Sequence, residues 1–201
     1  MEPLCCVPTL KHYLQIQLRK SEKERVILSQ MRKMQNIVLI GFMGSGKSAI
    51  GKRLAKELGL DFIDSDKIIA KNANKSINQI FSEFGEAHFR ALEAEFIKEY
   101  KEYENLVIAT GGGMSIHNDI SELGVRFYLN ARFDVIFMRI SGKTHRPLFT
   151  TKEQTYQIFK ERKPIYEKHC DFKINTNAPI KKIVHKICQI IDKSLIKSHK
   201  G

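Results

Sequence analysis

The sequence has no apolar run of the roughly 20 residues needed to cross a bilayer, so no membrane-spanning segment is expected. Its four cysteines, Cys5, Cys6, Cys170 and Cys188, form no C-x-x-C pair and join no histidine cluster of metal-ligand spacing. That excludes a zinc-ribbon or disulfide-framework protein and suits free thiols in a reducing cytosol. The first ten residues lack the basic start and long apolar core of a secretory signal. There is no internal repeat, which excludes solenoid and propeller architectures. The central region also lacks clustered basic residues interleaved with aromatics, so nucleic acid is not an expected partner.

What is present begins with charge. The 201 residues carry a net +12. Residues 1–33 hold +4 (seven Lys/Arg, three Asp/Glu) and residues 181–201 hold +5, which leaves only +3 for residues 34–180. The excess therefore sits in the ends, and the modest basic bias of the middle suits a small phosphorylated or anionic ligand. Hydrophobic content of 42% is enough for one well-formed core. Residues 1–33 read differently from the rest and are expected to be a disordered extension or the product of a misplaced start codon. Met34 stands almost directly before the first strand. One folded domain is expected over 34–193, with a polar tail over 194–201.

The stretch Gly41-Phe42-Met43-Gly44-Ser45-Gly46-Lys47-Ser48 follows the apolar run Ile37-Val38-Leu39-Ile40 and precedes a helical pattern. Strand, glycine loop and helix in that order make a phosphate-binding P-loop. The glycines let backbone N–H groups turn inward as a nest for phosphate oxygens. Lys47 supplies a point charge for the β- and γ-phosphates, and Ser48 a hydroxyl for Mg²⁺.

Beyond the loop, strands alternate with helices. Strands are expected near 61–63, 106–109, 125–129 and 172–175. Helices are expected over 47–58 (closed by Gly59), 67–72, 86–101, 133–140 and 153–162, and from Pro179 with Ile180, Ile183, Val184, Ile187, Ile190 and Ile191 inward. Ser76-Ile77-Asn78-Gln79 reads as a capping box opening a helix that buries Ile77, Ile80, Phe81 and Phe84 and breaks at Gly85. Helix 153–162 is expected to stop before Pro164. The fold class is α/β, a five-stranded parallel sheet with helices on both faces, a three-layer α/β/α arrangement.

Ligands of such sheets bind at the carboxyl ends of the strands. Asp64 and Asp66 follow the second strand, and an extended segment would point both carboxylates into one cleft. One could hold a metal-bound water and the other a substrate hydroxyl; helix N-capping is the structural alternative. Gly111-Gly112-Gly113 ends the third strand and suggests close approach of backbone to something. Arg90 and Arg162 are single solvated charges if apart and a bidentate carboxylate clamp if together. Arg146, in the polar loop 141–152, could close over phosphates.

These residues in this order resemble the shikimate kinase family. The resemblance runs over about residues 35–192. It rests on the P-loop, Phe62-Ile63-Asp64-Ser65-Asp66, Gly85-Glu86-Ala87-His88-Phe89-Arg90 with Glu93, Ala109-Thr110-Gly111-Gly112-Gly113, Arg146-Pro147-Leu148, and Arg162 with Pro164-Ile165-Tyr166. It implies a nucleoside-monophosphate-kinase-like P-loop fold and ATP-dependent phosphorylation of the 3-hydroxyl of shikimate, within the chorismate route to aromatic amino acids. It implies ATP binding by Gly44, Ser45, Gly46, Lys47, Ser48, Ala49, Arg139 and Arg146. Shikimate would be held by Asp66, Arg90, Gly111, Gly112, Gly113 and Arg162. Lys47, Asp66 and Arg146 would be catalytic, and one Mg²⁺ would lie at Ser48 and, through water, Asp64. A cytoplasmic monomer acting on ATP and shikimate, without nucleic acid or membrane, is the expectation. A gluconate kinase or similar small-molecule kinase is the enzymatic alternative. The third strand ends in glycines rather than in an aspartate, which argues against a motor-type ATPase.

Overall fold

The computed structural model describes residues 35–141 and 151–197, with 193–197 described by backbone alone. The expectations for residues 1–33 and for the lid, Arg146 included, lie outside the described residues.

Five strands form one parallel sheet: β1 (Ile37–Ile40), β2 (Asp61–Asp64), β3 (Leu106–Ala109), β4 (Val125–Asn130) and β5 (Phe172–Asn175). Their order across the sheet is β2-β3-β1-β4-β5. The residues of β1 and β3 are at most 8% exposed. That is why these strands read as unbroken apolar runs: helices cover both faces, so no alternation is needed. The order reverses at β1, which has β3 on one side and β4 on the other. Its carboxyl end is therefore the topological crevice of the sheet, where ligands of open α/β folds bind.

Helices fill the crossovers, α1 (Lys47–Leu58), α2 (Ser65–Asn72), α3 (Ile77–Tyr100), α4 (Met114–His117), α5 (Phe133–Ile140) and α6 (Lys152–Lys168), and α7 (Ile180–Lys197) follows the last strand. Helix α1 buries Ile50, Leu54 and Ala55, and Gly59 closes it in the left-handed region (φ 67°). A Cβ on Gly51 would stand 2.6 Å from Phe62, so only glycine lets α1 seat this closely on β2. The capping box at Ser76 forms as expected: its hydroxyl accepts from Gln79 N while the Gln79 side chain accepts from Ser76 N.

Several elements depart from expectation. Helix α2 begins at Ser65, two residues early, so Asp66 lies in its first turn and not in an extended segment. Helix α6 runs through Pro164 to Lys168. Proline inside a helix costs about 3 kcal/mol. Tertiary packing offsets this, because Tyr166, beyond the proline, is 1% exposed and stacks on Tyr128. Phe84 is exposed, packing on His88 at the last turn before the kink at Gly85 (φ 79°, ψ 175°), while Phe81 meets Phe89 inside. Ile180 is also exposed, since it opens α7 with no preceding turn to seat it. Helix α4 and the 3₁₀ turn Ser121–Leu123 had no periodic signature, being shorter than one repeat of the apolar pattern. Helix α7 continues to Lys197, past residue 193, where the polar tail was expected.

Candidate active site

The site assembles at the carboxyl ends of β1, β2 and β3. The P-loop leaves β1 with Gly41, Gly44 and Gly46 at φ 139°, 74° and 101°. Side chains rarely adopt these values, so the glycines are what lets the loop wrap inward. Gly46 is the N-cap of α1. The loop therefore presents its N–H groups at the positive end of a helix, a ready anion site. Lys47 is almost buried, and its Nζ donates to the carbonyls of Gly41 (2.6 Å) and Phe42 (3.1 Å), holding the ammonium across the loop. Arg139, from α5, donates from Nη1 to Gly44 O at 3.0 Å and so lies on the loop.

Asp64 ends β2 and takes the N-cap position of α2, but its side chain makes no capping hydrogen bond. Instead Oδ2 accepts from Ser48 Oγ at 2.7 Å. The structural alternative for Asp64 thus fails, and two oxygens converge beside the P-loop. Asp66 reaches the site from the first helical turn by another route than two-residue alternation. Its Oδ1 lies where a Cβ on Gly111 would have to be. Ser65, read in the sequence only as a spacer, is wholly buried and accepts from Gly111 N at 2.8 Å, tying the start of α2 to the end of β3.

Gly111 and Gly113 are explained by protein, not only by ligand. A Cβ on Gly113 would stand 2.6 Å from Arg90 Nη1 and 2.9 Å from Nη2. On Gly112 it would meet Met43 N of the P-loop at 3.4 Å. Bare backbone at Gly111 and Gly113 therefore lets Asp66 and Arg90 crowd in beyond the end of β3. Tyr166 donates to Gly112 O at 2.5 Å and fixes that backbone from below. Burial pushes its phenol up to about 12, against the lowering influence of Arg162 and Arg90.

Arg90 is held from two sides. Its Nη1 donates to Glu93 Oε2 at 2.8 Å, and its Nε and Nη2 donate to Glu86 Oε1 at 3.1 and 2.6 Å. Glu93 is fully buried and also accepts from Asn118 at 3.3 Å. Burial pushes its carboxyl up to about 7, outweighing the attraction of Arg90; the Asp66 charge adds to the rise. Glu86, on the solvent side, is held below the usual carboxylate range, chiefly by its hydrogen bond from Arg90 and further by His117 and Arg162. Arg162 thus shares an electrostatic neighbourhood with Arg90: both act on Glu86, His117 and Tyr166. The two arginines, 72 positions apart in sequence, thus act on the same three groups. Glu86, Glu93, His117 and Tyr166 were not anticipated as site residues from their chemistry. Glu86, Glu93 and Tyr166 entered the sequence reading only within the motifs of the resemblance, and acids one helical turn either side of Arg90 are the signal that could have found the first two.

A cavity of about 450 Å³ lies elsewhere, at the amino edge of the sheet, lined by residues that include Asn36, Tyr103, Gly124 and Arg126. It holds none of these groups, so cavity size does not locate the chemistry. Among the described residues no three His, Cys, Asp or Glu side chains cluster as a metal cage, and no helix is long and apolar enough to cross a membrane.

Comparison with known proteins follows the same lines. The family model "Shikimate kinase" matches residues 43–192. The shikimate kinase of Helicobacter hepaticus is 44% identical over 165 residues, spanning 81% of this chain and 99% of that protein. That of Thermodesulfovibrio yellowstonii is 45% identical over 152 residues, spanning 72% and 87%. Among solved structures, the shikimate kinase from Acinetobacter baumannii in complex with shikimate superposes with a TM-score of 0.74 at 30% identity, covering 80% of this chain and 94% of that one. A gluconokinase from Sinorhizobium meliloti, at 18% identity and a TM-score of 0.52, shares the fold alone.

Proposed function

The chain belongs to the shikimate kinase family, and from that premise we propose how its residues divide the work. The reaction is transfer of the γ-phosphoryl group of ATP to the 3-hydroxyl of shikimate, giving 3-phosphoshikimate and ADP, a step toward chorismate and the aromatic amino acids. The P-loop residues Gly44, Ser45, Gly46, Lys47, Ser48 and Ala49 bind the phosphates, with Arg139 beside them. Arg90 and Arg162 hold the carboxylate of shikimate, and Gly111–Gly113 lie against its ring. Asp66 accepts the hydrogen bond of the 3-hydroxyl and takes its proton as the oxygen–phosphorus bond forms and the bond to ADP breaks. Lys47 neutralises charge on the group in transit, and Arg146 does so from the lid. Such transfers are catalysed mainly by position and charge.

The observation that carries this reading is the seating of Asp66 against Gly111 and of Arg90 against Gly113, with Gly112 between them near the P-loop. That seating supports a hydroxyl-binding carboxylate and a carboxylate anchor beside the phosphate site. The paired oxygens of Ser48 and Asp64 suit Mg²⁺, a hard cation that usually takes one or two protein ligands and completes its shell with phosphates and water. Ser48 would hold the ion directly and Asp64 through water. When bound with ATP, the ion would offset phosphate charge. The catalytic domain is residues 34–193, and the enzyme acts as a monomer in the cytoplasm.

The test is a coupled ADP-release assay of the full chain with shikimate, gluconate and a nucleoside monophosphate in parallel. Turnover should require shikimate and Mg²⁺. Turnover with gluconate or the nucleotide, and none with shikimate, would overturn the acceptor assignment.

A further inference from the structure

Arg90 is already engaged, and the geometry of that engagement carries a consequence for how substrate enters. Its interior partner is Glu93, 0% exposed. Its outer partner is Glu86, whose side chain is 56% exposed. Glu86 occupies the side-on face of the guanidinium, the Nε/Nη2 edge that pairs a carboxylate by two hydrogen bonds. The Nη1 edge faces the interior, toward Glu93 and the backbone of Gly113. An acceptor arriving from solvent therefore meets the edge that Glu86 covers.

The surroundings of Glu86 make the same point. Its carboxylate stands 3.7 Å from His117 Nε2 and within the field of Arg162 as well as Arg90. It is a side-chain carboxylate in the cationic niche assigned above to the carboxylate of the acceptor. We propose that Glu86 is an internal stand-in for the substrate's carboxylate: it pairs with Arg90, within the field of Arg162, in the free enzyme and is displaced when the acceptor binds. Acceptor binding is then an exchange of one carboxylate for another on Arg90. The net gain per binding event is the difference between two ion pairs, so Glu86 sets the acceptor affinity below what the bare cations would give. Its exchange also favours a ligand that brings a full negative charge of its own, which makes Glu86 a specificity residue. The inference rests on the reading that Arg90 takes the acceptor carboxylate.

The experiment is isothermal titration of shikimate, and separately of ADP, into the full chain and its Glu86→Gln, Glu86→Ala and Arg90→Ala variants. Both Glu86 variants should bind shikimate more tightly, by about 2- to 10-fold, the range expected for removing a competing, partly exposed ion pair. Shikimate methyl ester, which carries no carboxylate, should gain nothing from either change, and ADP affinity should not move. Unchanged or weaker shikimate binding in both Glu86 variants, with binding abolished in Arg90→Ala, would overturn this proposal alone and make Glu86 a support for Arg90. An equal gain for the ester would also overturn it. Shikimate binding that survives Arg90→Ala would remove the acceptor reading, and this proposal with it.

Discussion

Replacing Glu93 by glutamine should change how stability depends on pH, in a direction that separates two opposing forces. Glu93 is fully buried against Arg90, Asn118 and the Asp66 side of the site. Burial raises its pKa, Arg90 lowers it, and burial prevails, giving about 7 against an ordinary value of 4.5. A carboxyl whose folded pKa is raised binds its proton more tightly in the native state. Its contribution is complete below pH 4.5 and is lost as pH rises through about 7. Glutamine mimics the protonated acid and does not titrate. Wild type should therefore lose about 3 kcal/mol of stability relative to Glu93→Gln between pH 4.5 and 8, at 1.36 kcal/mol per pKa unit. Urea unfolding of both proteins at a series of pH values, followed by circular dichroism, measures this. A wild-type advantage that stays flat, or grows with pH, would show that the Arg90 ion pair outweighs burial and would refute the reasoning. The result bears on function, since the proton on Glu93 decides how much of the charge of Arg90 is balanced from the interior.

Two further substitutions test the glycine floor. Gly113→Ala should push Arg90 aside, because the new methyl would stand 2.6 Å from Nη1. The side chain can swing, so stability should fall by less than about 1 kcal/mol. The KM for shikimate should nonetheless rise about tenfold or more while that for ATP holds; an unchanged shikimate KM would contradict the placement. Tyr166→Phe removes the donor to Gly112 O and should cost about 1–2 kcal/mol in urea unfolding, with shikimate KM raised more than kcat is lowered. Wild-type stability in this variant would show that the hydrogen bond does not hold the floor.

Much of this was legible in the sequence because it is local. The P-loop, the capping box at Ser76, the break at Gly85 and the stop at Gly59 are each written within a few residues. The parallel sheet follows from short apolar runs separated by helical stretches. What was not legible depends on partners far along the chain. Asp66 was expected in an extended segment, yet Ser65 begins a helix, its hydroxyl tied to Gly111 N in the turn after β3. Pro164 reads as a stop, but the burial of Tyr166 against Tyr128 and Gly112 carries the helix on. The triple glycine signalled close approach, but nothing near it in sequence says that Asp66 and Arg90 are what approach. Glu86 and Glu93 flank Arg90 at helical spacing, and spacing does not reveal that one faces solvent and the other the core.

The central claim is that Asp66 serves the hydroxyl of shikimate across from the phosphate loop, and the most direct test is kcat of Asp66→Asn with ATP and shikimate both saturating. The account predicts a fall of about 100-fold or more, the usual worth of a positioned proton acceptor, with the dissociation constants of shikimate and ATP each within a few-fold of wild type. A kcat within threefold of wild type under those conditions would contradict it.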